Sequence, residues 1–318
     1  PSHHRLEQIL LPWVVRRLNC DVFHSPDFIP PLHRRGNSVI TIHDLAFLIY
    51  PQFVTKEAAR YYGQIDHAVR HADHIIAVSN STKNDLVRML GVPEDHITVI
   101  YEAADPRMRP MPHDEALQRV QALYNVPDDF VLFVSTIEPR KNIGALLRAY
   151  RRLRDDYKLT PALVLAGSRG WLSDDVYDLV TRLDLTDSTH FLGRVESHDL
   201  PYLYNAARTL VHPAFYEGFG LTPLEAMACG TPVIVSNVSS LPEVGGPAAR
   251  YFDPTDVDEM RHVLGTVATG AVPLQWLDSA GAGDPAVNYT YRVLSLNANS
   301  QMVGASQAVG EFDFALFH

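Results

Sequence analysis

At 318 residues the chain can build two compact α/β domains, each with its own core, and its formal charge of −10, from 27 Lys and Arg against 37 Asp and Glu, argues against a nucleic-acid partner held by neutralising phosphates. Its two cysteines, Cys20 and Cys229, lie far apart and make no CxxC, which points to neither a disulfide framework nor a zinc site and suits a reducing cytoplasm. No apolar run approaches the roughly 20 residues that span a bilayer and Pro1 opens no signal-peptide shape, so the expectation is a soluble cytoplasmic chain that begins partway through its gene.

A helix is expected from about Leu6 to Leu18, and from Asp21 onward short apolar runs alternate with longer amphipathic ones, the pattern of elements wound around a parallel sheet. DVFH at 21–24, SVITI at 38–42, HIIAV at 74–78 and ITVI at 97–100 read as strands. Ser79 or Ser81 can cap a helix that runs through Leu90 to Gly91. Residues 103–128 start Pro-rich and polar and mark a crossing between domains. FVLFVS at 130–135, ALVLAG at 162–167, HFLG at 190–193, TLVHP at 209–213 and TPVIVS at 231–236 are the strands of a second doubly wound domain, with Gly167 and Gly193 at strand ends, where ligands of such sheets sit. Past Leu264 no helical or strand period is sustained, there is no Lys and Arg292 is the one Arg, which reads as a flexible tail or as an altered reading frame or replaced terminus. The domains expected are 1–105, 106–264 and a tail, 265–318.

The densest motif is EGFGLTPLE, from Glu217 to Glu225. Thr222 stands where an N-cap would, Pro223 at the first helical position and Glu225 three after the cap, a capping box. Before it, Gly218 and Gly220 let the main chain approach a ligand and aim amide groups at an anion on the helix N-terminus, a place for a diphosphate. The plainer reading is a tight turn with Glu225 as a cap only, and spacing alone does not choose between them. His67, His71 and His74 have helical spacing but no fourth metal ligand nearby, and read as surface residues.

Glu217 and Glu225 with seven residues between them, GFG after the first, and Gly230-Thr231-Pro232-Val233 beyond the helix resemble the donor-site signature of the GT4 glycosyltransferases, which have the GT-B fold: two facing doubly wound domains with an interdomain cleft. STIEPRKN at 135–142 resembles the phosphate-gripping segment of that family. FLGRV at 191–195, LPYLYNAA at 200–207, LPEVGG at 241–246, TIHDLAFL at 41–48 and VSNSTKNDL at 78–86 extend the resemblance from 38 to 264. It implies that Glu225 binds the ribose hydroxyls, so that one residue has two jobs, and that Glu217 lies by the transferred sugar and balances positive charge at its anomeric carbon. Lys141 with Arg140 would neutralise the leaving diphosphate, a role that also makes physical sense because fixed cations act best where charge develops. His43, followed by Asp44, matches a position facing the donor sugar; as a residue on its own it reads equally as a loop histidine bonded to backbone. Phe219, Leu221, Gly167 and Val195 complete the donor-binding set.

The chain departs from the family where Ser135-Thr136 replaces a Gly-Arg pair, where Tyr101-Glu102-Ala103 replaces an Asn-Gly turn, and in lacking a recognisable opening strand with its glycine-rich loop and a closing helix. The expectation is a retaining hexosyltransferase that needs neither metal nor cofactor. EPRKN and HDLAF make it most similar to mannosyltransferases of bacterial surface polysaccharide, which favours GDP-mannose as donor and a saccharide or lipid-linked saccharide as acceptor, with peripheral association at the inner membrane surface. The alternatives are a truncated fragment that binds nucleotide sugar without turnover and a sugar-nucleotide epimerase on the same plan.

Overall fold

The computed structural model describes residues 12–14, 17, 21–26, 36–54, 59, 62–157, 161–170, 173–268, 290–296 and 302–309. The chain forms two compact units: Pro1–Glu102 with Glu217–Phe219, and Ala103–Tyr216 with Gly220–His318. Both are α/β with parallel sheets, as the alternating pattern predicts.

In the first unit β1 (Val22–Ser25), β2 (Asn37–Ile42), β3 (His74–Ala77) and β4 (Ile97–Val99) pair in parallel in the order β1-β2-β3-β4. Ile40, Ile42, Ile75 and Ala77 are buried with Ile65, Ala68 and Leu86 from the flanking helices. A helix spans Asn80–Leu90. Ser79 caps it by accepting from the Thr82 amide, and Gly91 ends it at φ 65°, a left-handed value that costs glycine little. Of the helix expected over Leu6–Leu18, residues 12–14 and 17 are described, and these are helical.

The second unit carries β5 (Phe130–Val134), β6 (Ala162–Ala166), β7 (Thr189–Gly193), β8 (Thr209–His212), β9 (Val233–Ser236) and β10 (Arg250–Phe252), all parallel, in the order β10-β9-β8-β5-β6-β7. Period-2 alternation sends side chains to two cores. Val131, Phe133, Leu163, Leu165, Val211 and Ile234 pack on one face with the helices Ile143–Asp156 and Val257–Ala268. Phe130, Leu132, Val164, Ala166, Leu210 and Val233 pack on the other, where the helices His113–Tyr124, Leu200–Ala206 and Leu221–Ala228 lie.

Several expectations need correction. The crossing at 103–128 contains a helix of 12 residues, His113–Tyr124, which three prolines just upstream conceal. The three-residue strand β10 is too short to show a period. In the tail, β11 (Thr290–Leu296) and β12 (Met302–Val309) pair antiparallel, although small and polar residues blur any alternation. His67, His71 and His74 do not share a helix: the helix Ile65–His71 ends first, and His74 opens β3, where its Nε2 meets Thr98 Oγ1 at 2.8 Å.

Candidate active site

The strand order in the second unit reverses at β5. The chain steps outward through β6 and β7, then returns to the other side of β5 as β8. Carboxyl ends of strands at such a reversal are where ligands of open α/β sheets bind. The register pairs are Val131 with Thr209 and Leu132 with Leu210, after which each strand runs on by two residues. The segments that leave these two ends within the second unit are Ser135–Asn142 and Pro213–Tyr216, the first of them the STIEPRKN motif.

Ser135–Asn142 is held by its main chain. Ser135 and Ile137 amides donate to the Ala166 and Ser168 carbonyls, each at 3.0 Å. Pro139–Lys141 form a single 3-10 turn, and Asn142, at φ 56°, leads into the next helix while its Nδ2 donates to the Pro254 carbonyl at 2.8 Å. Lys141 is only 8% exposed, and Glu138 3%. Arg140 donates from Nη2 to Glu138 Oε1 (2.8 Å) and from Nη1 to the Tyr216 carbonyl (2.9 Å), while its own carbonyl accepts from the Phe215 amide (2.9 Å). The Arg140 guanidinium therefore braces the chain immediately before Glu217, and its charge is set against Glu138.

Gly167 enters the same region from β6. At φ 155°, its absent Cβ would lie 1.8 Å from the Ser135 carbonyl oxygen, and its amide donates to the Gly193 carbonyl at 2.7 Å, so the ends of β5, β6 and β7 are drawn together by a residue without a side chain. Val195, beyond β7, is half-buried against the core cluster that contains Tyr204.

Glu217, Gly218 and Phe219 belong to the first unit. A Cβ on Gly218 would fall 1.8 Å from the His43 carbonyl oxygen, and the Gly218 carbonyl accepts from Ser79 Oγ (2.6 Å) and Thr82 Oγ1 (3.1 Å). Phe219 is buried with its ring 6.0 Å from that of Tyr101. His43 lies with Nδ1 3.0 Å from Glu102 Oε1 and Nε2 3.0 Å from the Pro26 carbonyl. Both ring nitrogens are thus engaged, one by a carboxyl group and the other by a main-chain carbonyl. The backbone bond of the plainer reading is present, and more than half of the side chain is exposed.

The capping box is not formed. The helix begins at Leu221, its N-cap is Gly220 at φ 107°, and no side chain caps it. Thr222 is the second helical residue and Pro223 the third. The left-handed turn at Gly220 bends the chain into the helix two residues earlier than the Thr222 reading placed the cap, and a glycine has nothing to cap with. Leu221 is exposed. Glu225, freed from that task, accepts at Oε2 from the Tyr204 hydroxyl at 2.7 Å. Burial holds its carboxyl above the usual carboxylate range, opposed by the Tyr204 hydrogen bond and reinforced by the charge of Asp105. Burial, then Glu225, holds the Tyr204 phenol well above its ordinary value, and burial and Glu225 push the Cys229 thiol up to about 12.

Sequence reasoning missed Glu138 and Tyr204. Both lie inside the quoted segments STIEPRKN and LPYLYNAA, but nothing in their spacing shows what they touch. Among the described residues no group of three His, Cys, Asp or Glu is gathered to hold a metal ion, and no helix is long and apolar enough to cross a membrane.

Comparison with known proteins places these segments in context. The family model for glycosyltransferase family 4 matches residues 2–107, and that for glycosyl transferases group 1 matches residues 114–266. O-antigen chain mannosyltransferase B of Escherichia coli is 39% identical over 254 residues, 79% of this chain and 66% of that protein. O-antigen chain mannosyltransferase RfbU of Salmonella typhimurium is 29% identical over 78% of this chain and 64% of its own length. The chain thus spans less than two thirds of these curated relatives. Among solved structures, sucrose-phosphate synthase from Thermosynechococcus elongatus superposes with a TM-score of 0.69 at 23% identity, covering 83% of this chain and 68% of that one. Anabaena HepE in complex with UDP and glucose superposes with a TM-score of 0.67 at 22% identity, covering 84% and 74%. At these identities the structural likeness is one of fold.

Proposed function

The chain belongs to the GT4 glycosyltransferases, and from that premise we propose that it transfers mannose from GDP-mannose to a hydroxyl of a saccharide acceptor, free or lipid-linked, with retention of configuration and without a metal or cofactor. The observation that carries this reading is that STIEPRKN and the Pro213–Tyr216 segment leading to Glu217 leave the paired ends of β5 and β8, where the sheet reverses, and are tied together through Arg140 to Phe215 and Tyr216. The names of its relatives support mannose as the sugar.

In this reading the bond from the anomeric carbon to the diphosphate breaks as the bond to the acceptor oxygen forms on the same face, and the acceptor proton passes to the departing phosphate oxygen. Charge grows on the diphosphate as it leaves. Lys141, already desolvated, stabilises that charge more in the transition state than in the ground state, which is the condition for accelerating the step. Glu225 accepts from the ribose hydroxyls. Glu217 holds hydroxyls of the mannose and opposes positive charge at the anomeric carbon, and His43 lies toward the same sugar. A lipid-linked acceptor would bring the protein to a membrane surface as a peripheral partner.

The test is GDP release from GDP-mannose with and without acceptor sugars, followed by nuclear magnetic resonance of the product. Acceptor-dependent release and an α-linked product from the α-linked donor are expected. An inverted product overturns the route, and nucleotide binding with no acceptor-dependent release overturns the transfer.

A further inference from the structure

We propose that Tyr204 is a positioning residue for the donor nucleotide: its hydroxyl orients the Glu225 carboxylate and keeps it available to the ribose hydroxyls. The inference rests on the reading of Glu225 as ribose ligand and adds the group through which that ligand is set.

Tyr204 is wholly buried on the helix Leu200–Ala206, 21 residues before Glu225, and its ring belongs to the core cluster with Leu132, Val164 and Leu210. Its main chain is fixed as well, since its carbonyl accepts from Thr231 Oγ1 at 2.7 Å. A ring packed on all sides and a backbone held by a second hydrogen bond leave the hydroxyl little freedom. That hydroxyl donates to Glu225 Oε2 at 2.7 Å, and among the described residues the Glu225 side chain makes no other hydrogen bond. One oxygen is thus fixed and the carboxylate plane with it.

A buried phenol needs a hydrogen-bond partner, and the modest alternative is that Glu225 serves Tyr204 rather than the reverse. The charges nearby argue otherwise. Facing Glu225 are Tyr204 from one helix, the Cys229 thiol from the end of its own helix, and Asp105 from the segment before the helix His113–Tyr124, with Asp105 itself bound by Arg107. The charged group among them is an acid, itself tied to Arg107, so among the described residues ionised Glu225 is held by a neutral hydroxyl alone. Burial raises the cost of such a carboxylate, whereas a neutral glutamine would satisfy a phenol at less expense. A residue kept acidic at a cost to folding suits a ligand that brings donors of its own, as a ribose diol does.

The experiment is calorimetric titration with GDP and with 2′,3′-dideoxy-GDP, or the matching uridine pair if UDP binds more tightly, on the wild-type chain, Tyr204→Phe and Glu225→Ala. The wild type is expected to prefer GDP about tenfold or more. Tyr204→Phe is expected to weaken GDP about five- to tenfold, as an indirect loss of one positioning hydrogen bond does, while leaving the dideoxy nucleotide nearly unchanged. The pH midpoint of GDP affinity should also move up, because the bond that lowers the Glu225 pKa is gone. Equal weakening of both nucleotides, or unchanged discrimination, overturns the inference. If Glu225→Ala retains the ribose preference, the reading of Glu225 itself fails, whatever Tyr204 does. Should Tyr204→Phe fold poorly, 3-fluorotyrosine at position 204, a stronger donor of nearly the same shape, should move the midpoint down; an unmoved midpoint also overturns it.

Discussion

Replacing Gly167 by alanine tests whether the strand ends of the second unit form one rigid platform. The new Cβ would lie 1.8 Å from the Ser135 carbonyl oxygen and 2.6 Å from its carbon, at a φ of 155°. Even a 3.0 Å contact, itself tighter than side chains adopt, requires the ends of β5 and β6 to part by about 1.2 Å, the difference between 3.0 and 1.8 Å. The strained backbone costs about 1–3 kcal/mol and the forced overpacking about as much again. For a unit of this size that lowers the melting temperature by about 5–20 °C. Gly91→Ala is the control. Gly91 is also left-handed, at φ 65°, but nothing lies within 4 Å of its absent Cβ, so only backbone strain of about 1 kcal/mol is at stake. The functional consequence should differ more than the thermal one. Ser135 begins the segment that ends in Lys141, and a displacement of about 1 Å can cost on the order of 10²-fold in catalysis. Thermal denaturation of both variants with GDP calorimetry decides the matter. If Gly167→Ala melts together with Gly91→Ala and binds GDP as the wild type does, the platform is not rigid and the reasoning fails.

Lys141→Ala should lower kcat by about 10²–10³-fold, or about 3–4 kcal/mol of transition-state stabilisation, with a smaller effect on donor KM; full turnover would remove Lys141 from the leaving-group role. For Glu225 the direction follows from its raised pKa. A buried acid of this kind contributes stability below its ordinary carboxylate value and loses it as pH rises through the raised one, so Glu225→Gln should melt higher than the wild type at neutral pH. Nucleotide affinity runs the opposite way. Ribose hydroxyls donate to the ionised carboxylate, so GDP affinity should fall on acidification through the raised pKa in the wild type and stay flat in Glu225→Gln, as calorimetry across pH would show.

Much of the fold was legible because parallel strands buried on both faces are written as short unbroken apolar runs, as in Phe130–Val134 and Ala162–Ala166. Ser79 and Gly91 could be read as helix ends because each acts on its own immediate backbone. The failures share a physical cause, since each depends on something spacing does not encode. The Thr222 cap was plausible chemistry at the wrong residue, because a left-handed Gly220 had already started the helix. Glycine can take up that φ, and the sequence does not say when it does.

The same limit divides the candidate site. The types and spacing of Glu217, Glu225, Arg140 and Lys141 are what the proposed nucleotide-sugar site was read from, but neighbours in sequence need not share a task. Arg140 and Lys141 are adjacent, yet the guanidinium reaches 76 positions along the chain to the Tyr216 carbonyl and back two to Glu138. A planar fork with five donors suits that bracing, whereas an ammonium cannot span two such partners in fixed directions. The exchange of roles follows: where the family carries a Gly-Arg pair, this chain has Ser135-Thr136, and the arginine it does possess secures the approach to Glu217. The buried Lys141 is then the cation that the proposed mechanism assigns to the departing diphosphate, so its loss should slow turnover directly, whereas Arg140 acts by holding the chain before Glu217.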